Sequence, residues 1–167
     1  MFGYVRQNGI KVYRPQSQSR FLFGGSFKDY YCFGQEQLPA TGDTLFITGG
    51  EKDVLSLAAH GFPAICFGSE TARIPQKQIE ELSQRFQNIV LLYDMDATGK
   101  KHALALQQEL RAYNVGRLEL PLAGTKQEKD ISDYFRLGHT ATEFRRLMPR
   151  PEVRQYTQHK NGQAIKH

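Results

Sequence analysis

Three acidic residues stand where the chain leaves apolar runs, and their type and placing suit a hard cation. Thr44-Leu45-Phe46-Ile47-Thr48-Gly49-Gly50 leads into Glu51, and Ile89-Val90-Leu91-Leu92-Tyr93 leads into Asp94-Met95-Asp96-Ala97-Thr98-Gly99. All-oxygen ligation favours Mg²⁺ or Mn²⁺, and Mg²⁺ commonly takes one or two carboxylates together with substrate phosphates. Clustering has a cost. Two carboxylates ~4 Å apart repel by about 4 kcal/mol at an effective dielectric of 20, so a cluster calls for a cation or for bound protons. Each acid also has a plain role: Asp96 as the N-cap of the next helix, Glu51 as a charge favoured at a helix start. Singly those roles win; at two strand-to-helix junctions of one sheet, a shared site fits better.

The elements that must hold these acids follow from periodicity. Short β-branched and aromatic runs ending at Gly or Asp read as buried strands, and in open α/β sheets chemistry gathers beyond the carboxyl ends of strands. After the strand at 44–48, residues 52–60 carry Val54, Leu55, Leu57 and Ala58 at helical spacing, with Gly61 as the stop. Residues 63–68 make a second strand. A helix opening at Pro75 presents Ile79, Leu82 and Phe86, and 89–93 is the third strand. A helix over 98–114, a strand over 117–120 and short helices over 130–137 and 140–148 complete the alternation. This rhythm predicts an α/β, Rossmann-like fold over residues 41–148, with a mainly parallel, doubly wound sheet flanked by helices. Residues 1–40 read instead as short strands near Tyr4–Arg6, Ile10–Tyr13, Phe21–Phe23 and Tyr30–Phe33, with a hairpin signal at Asn8-Gly9. They form a small β-rich N-terminal extension. Residues 149–167 are polar and aperiodic, the pattern of a disordered tail.

Composition narrows the partners. The chain has 167 residues and a formal net charge of +5, which suits a polyanion such as nucleic acid or nucleotide. No apolar run approaches the ~20 residues that span a membrane, and the first residues lack a secretory h-region. Cys32 and Cys66 are the only cysteines, too few for a zinc ribbon or a disulfide framework; one bridge between them stays open. A cytoplasmic setting is expected. Lys11, Arg14, Arg20, Lys28, Lys100 and Lys101 lie in or near turns able to rim the acidic site.

Gly49-Gly50-Glu51-Lys52-Asp53-Val54-Leu55-Ser56-Leu57, followed by Asp94-Met95-Asp96-Ala97-Thr98-Gly99, resembles the Toprim domain of primases, type IA and II topoisomerases, certain nucleases and a ribosomal-RNA maturase. Asp53, two residues after Glu51, and Lys129-Asp130-Ile131-Ser132-Asp133-Tyr134 are most similar to the branch of bacterial and phage DnaG-type DNA primases. The resemblance implies that Glu51 is the acid/base residue and shares the metal, that Asp94 and Asp96 are metal ligands, and that Asp130 joins them, with Asp133 a weaker member. Asp130 also fits an N-cap of the helix that follows it. The same resemblance implies Mg²⁺ or Mn²⁺ without zinc, phosphate contacts from Lys100 and Lys101, and template-backbone contacts from Lys11, Arg14 and Arg20. It further implies a single-stranded DNA template, nucleoside triphosphates and a replicative helicase as partners. Residues 1–40 are similar to the strand-rich end of the basic subdomain of primases, as expected of a fragment or of a small mobile-element protein.

Three other readings share these residues. A Toprim nuclease uses the same carboxylates with water as nucleophile. In a haloacid-dehalogenase-like phosphatase, Asp94-Met95-Asp96-Ala97-Thr98 would supply a nucleophilic aspartate, which leaves Glu51 without a role. A non-catalytic nucleic-acid-binding module would use metal only for stability. The aromatics Tyr30, Tyr31 and Phe33 fit either base stacking or packing within a small sheet.

Overall fold

The computed structural model describes residues 1–6, 9–26 and 30–148. Its strands are β1 (Phe2–Arg6), β2 (Gly9–Tyr13), β3 (Phe21–Gly25), β4 (Cys32–Phe33), β5 (Gly42–Thr48), β6 (Ala64–Phe67), β7 (Phe86–Leu92) and β8 (Val115–Arg117). Its helices are α1 (Glu51–Ala59), α2 (Gln76–Arg85), α3 (Ala97–Glu109), α4 (Ile131–Arg136) and α5 (Ala141–Leu147). Asn8 of the expected hairpin turn, Lys28 and the tail at 149–167 lie outside the described residues.

Strands β1, β2 and β3 form an antiparallel sheet, and a second sheet has the order β4-β6-β5-β7-β8. In that larger sheet β6, β5, β7 and β8 are parallel and β4 is an antiparallel edge. Alternation along the central strands explains why both faces are covered. Ile89 and Leu91 of β7 join the core under α2 and α3, with Ile79, Leu82, Ala103 and Leu106. Val90 and Leu92 join the opposite core under α1, α4 and α5, with Val54, Leu57, Ile131, Tyr134 and Phe144. The α/β, doubly wound expectation holds.

Local differences have local causes. The strand expected at 117–120 is β8, two residues earlier, because Asn114 turns left-handed (φ 54°) and sends the chain straight into the sheet. Leu118 and Leu120 instead pack with Ile131 and Tyr134. Phe86, expected on a helix, is extended and opens β7 opposite Gly42. The long helix ends at Glu109, followed by a single 3₁₀ turn over Arg111–Tyr113. The sheets divide between β3 and β4 rather than at residue 40, since β4 pairs with β6. Cys32 and Cys66 are buried free thiols. Among the described residues, no helix is long and apolar enough to cross a membrane.

Candidate active site

The site lies at the carboxyl ends of β5 and β7, which are neighbours with Thr48 opposite Leu92. From β5 the chain crosses to β6 on one side, and from β7 to β8 on the other, so the crevice between them is a topological switch point. Two details set the geometry there. The Met95 N–H donates to the Lys129 carbonyl at 2.6 Å, which holds the segment before α4 against the loop after β7. Gly99 lets α3 start close by: a Cβ on it would lie 2.3 Å from the Asp94 carbonyl oxygen.

Three carboxylates from three elements converge in that crevice. Asp53 of α1, Asp94 after β7 and Asp130 before α4 each bring a carboxylate oxygen within 4.8 Å of the others. Asp53 and Asp130 are buried. Lys52 Nζ lies 2.8 Å from both Asp130 oxygens and 3.3 Å from Asp53 Oδ1, while the Ser132 hydroxyl donates to Asp53 at 2.8 Å. Lys129 is ion-paired to Asp94. Two ammonium groups against three carboxylates leave one negative charge. Burial, and next the Asp130 carboxylate, push Asp53 up to about 7, so this carboxylate takes up a proton far more readily than a free aspartate. Burial raises Asp94 as well, partly offset by Lys129. An all-oxygen, charge-strained set of this kind fits a hard divalent cation.

A family model described as Toprim-like matches residues 46–135, more than half of the chain. The chain belongs to the Toprim-like family. Comparison with curated proteins gave no match. Among solved structures, it is similar to a chain in the complex of bacteriophage T7 lagging-strand DNA polymerase with primase domains of two gp4 subunits, an RNA/DNA hybrid and dTTP. Identity is 25%, coverage 87% of this chain and 74% of that one, and the TM-score 0.62. The primase fragment of the T7 primase-helicase matches at 23% identity over 87% of this chain and 60% of that one, TM-score 0.59. The Escherichia coli primase catalytic core matches at 19% over 83% and 47%, TM-score 0.64. The chain thus spans about half of the bacterial core, and at that identity the likeness is one of fold.

Within this Toprim fold, the residues expected at the site separate. Glu51 and Asp53 are both in the first turn of α1, but two residues correspond to about 200° around a helix, so they face different neighbours. Asp53 meets Asp94 and Asp130. Glu51 is buried, borders the same cavity, and pairs at 2.7 Å with Lys11 of β2, itself 4% exposed. Rings of Phe21, Phe23 and Tyr31 surround that ammonium at 4.6, 5.9 and 5.2 Å. Glu51 was expected as the acid/base residue and Lys11 at a nucleic-acid backbone; the structure places Glu51 on the cavity wall beside the triad with Lys11 as its buried counter-ion.

Asp96 N-caps α3 by accepting from the Gly99 N–H at 2.8 Å, and its carboxylate lies 3.9 Å from the Lys129 ammonium. Asp130 N-caps α4 and also belongs to the triad. Asp133 pairs with Arg136 outside it. Lys100, expected with Lys101 at phosphate, pairs with Glu119 at 3.1 Å, and Lys101 is exposed on α3; neither lines the cavity of the triad. Arg20 is exposed, and the Arg14 guanidinium donates to the Ser19 carbonyl at 2.9 Å. Tyr31 and Phe33 are packed rather than displayed. The Tyr31 phenol is raised by burial and then by hydrogen bonding to Glu51.

Sequence reasoning missed Glu70, Lys52 and Lys129, and underrated Asp53. Glu70 Oε1 accepts the Asp94 N–H at 3.1 Å, and its carboxylate lies where a Cβ on Gly49 would go. Burial raises its pKa. Helical phase was the available signal for Asp53: only one of residues 51 and 53 can face β7. No local signal marked Glu70, which arrives from the loop after β6.

Proposed function

We propose that this Toprim protein catalyses metal-dependent nucleotidyl transfer in primer synthesis, as a primase-like core acting on single-stranded DNA and nucleoside triphosphates. The convergence of Asp53, Asp94 and Asp130 at the switch point is the observation that carries this reading. These three carboxylates would hold Mg²⁺ or Mn²⁺. A divalent cation so held neutralises charge on phosphate oxygens during transfer.

The chain's own groups do the rest. Ser132 orients the Asp53 carboxylate, and the Met95–Lys129 backbone bond keeps Asp130 beside Asp94. Lys52 and Lys129 balance the acids and are exposed enough to swing from carboxylate to phosphate when a cation takes over that balance. The buried Lys11–Glu51 pair fixes the antiparallel sheet over the cavity. Arg14 and Arg20 follow a template backbone through sequence-independent charge. The match to a T7 primase-helicase fragment supports a helicase as partner.

The test is incubation with single-stranded DNA, labelled nucleoside triphosphates and Mg²⁺ or Mn²⁺, beside Asp94→Asn. New oligonucleotides that vanish in the variant are expected. Strand cleavage without synthesis would overturn the proposal in favour of a nuclease.

A further inference from the structure

One face of the β1–β2–β3 sheet turns toward the carboxylates, and its cross-strand rows differ in what they meet. Register aligns Tyr4, Lys11 and Phe23 in one row and Phe2, Tyr13 and Phe21 in the next. The first row is docked: Tyr4 meets Phe33 edge-on at 5.7 Å, Lys11 pairs with Glu51, and Phe23 meets Tyr31 edge-on at 5.8 Å. The second row stacks along itself, and its Phe21 also lies 4.6 Å from the Lys11 ammonium. Phe2 and Tyr13 lie 6.3 Å apart at 22°, and Tyr13 and Phe21 5.1 Å apart at 20°. Phe2 and Phe21 are 59% and 46% exposed, an unusual state for aromatic rings aligned beside a charged site.

This row and the carboxylates are walls of one cavity of about 580 Å³. Phe2, Tyr13 and Phe21 line it with Asp53, Asp94 and Asp130. Lys52 and Lys129 line it too. The cavity thus offers acids for a cation, lysines for phosphate and flat rings for a base, the three kinds of group that a metal-bound nucleoside triphosphate calls for. The volume suits one nucleotide rather than a strand.

We propose that Phe2, Tyr13 and Phe21 form a stacking platform for the base of the incoming nucleoside triphosphate. The inference rests on the triad as the metal-phosphate site and adds the base subsite to it. Stacking accepts any base, because each has a π-face, and purines gain more than pyrimidines. The platform therefore supplies affinity without reading sequence.

Calorimetric titration of the full chain in Mg²⁺ with ATP, CTP, inorganic tripolyphosphate and a short single-stranded oligonucleotide tests this. Tyr13→Leu keeps an apolar cover over the sheet and removes a ring. It should weaken ATP about tenfold and CTP less, and leave tripolyphosphate unchanged. The chain has no tryptophan, so Tyr13→Trp adds a single fluorophore that ATP, but not tripolyphosphate, should quench. Unchanged ATP affinity in Tyr13→Leu, or equal losses for ATP and tripolyphosphate, would overturn the platform. A loss confined to the oligonucleotide would overturn it in favour of the template strand. Asp94→Asn separates the two ideas: binding of tripolyphosphate that ignores this substitution removes the metal site, whereas its loss with intact ATP binding in Tyr13→Leu removes only the platform.

Discussion

Glu51 and Asp53 occupy the same helical turn, are both buried, and are both held by a lysine, yet they meet different partners. The lysine of Glu51 is itself buried in an aromatic cage, so the pair is fixed and joins two sheets. The lysine beside Asp53 has a side chain 58% exposed and is shared with Asp130, so it is free to leave. Burial of a carboxylate therefore does not mark a site. On the function proposed above, a structural acid would differ from a functional one here in the mobility of its counter-charge and the presence of further acids.

The largest effect belongs to the mobile side. Asp94→Asn or Asp130→Asn should lower metal-dependent turnover by more than ~100-fold, beyond the usual cost of disturbing a ligand's support. Turnover within tenfold of wild type in either variant would break the comparison. The fixed side predicts the reverse pattern. Glu51→Gln strands a buried Lys11 charge and should cost about 3 kcal/mol, a fall in melting temperature of roughly 10 °C. A melting temperature equal to wild type would show the pair to be dispensable. Gly99→Ala presses a methyl group on the Asp94 backbone and should reduce turnover about tenfold through misplacement of that carboxylate.

A smaller effect is set by pH. An acid whose folded pKa is raised favours the folded state less as pH climbs from its ordinary value, about 4, through the folded one, about 7. Without metal, Asp53→Asn removes that penalty. Its melting temperature should gain on wild type between pH 5 and pH 8, and a gain that shrinks over this range would reverse the sign. Smallest of all, Lys100→Ala should leave nucleotide affinity unchanged, since its ammonium is held by Glu119 away from the cavity.

The sheet and its helices were legible because the central strands are buried on both faces and interrupted by helical periodicity. Asp94 was legible for the same reason, as the residue just beyond a strand end. Asp96 shows the limit of spacing: an Asp-x-Asp pair does not tell which member caps a helix and which enters the site. The partner of Glu51 was not legible, because the sequence does not reveal that Lys11, forty residues upstream, folds against it. The segment 1–40 was read as a strand-rich extension, but its aromatic row gains meaning only once it is folded over the carboxylates.

Mn²⁺ binding followed by electron paramagnetic resonance in wild type, Asp53→Asn and Glu51→Gln tests the central claim most directly. The account predicts loss of the bound-metal signal in Asp53→Asn and wild-type affinity in folded Glu51→Gln. Retention in Asp53→Asn with loss in Glu51→Gln would contradict it and return Glu51 to the metal site.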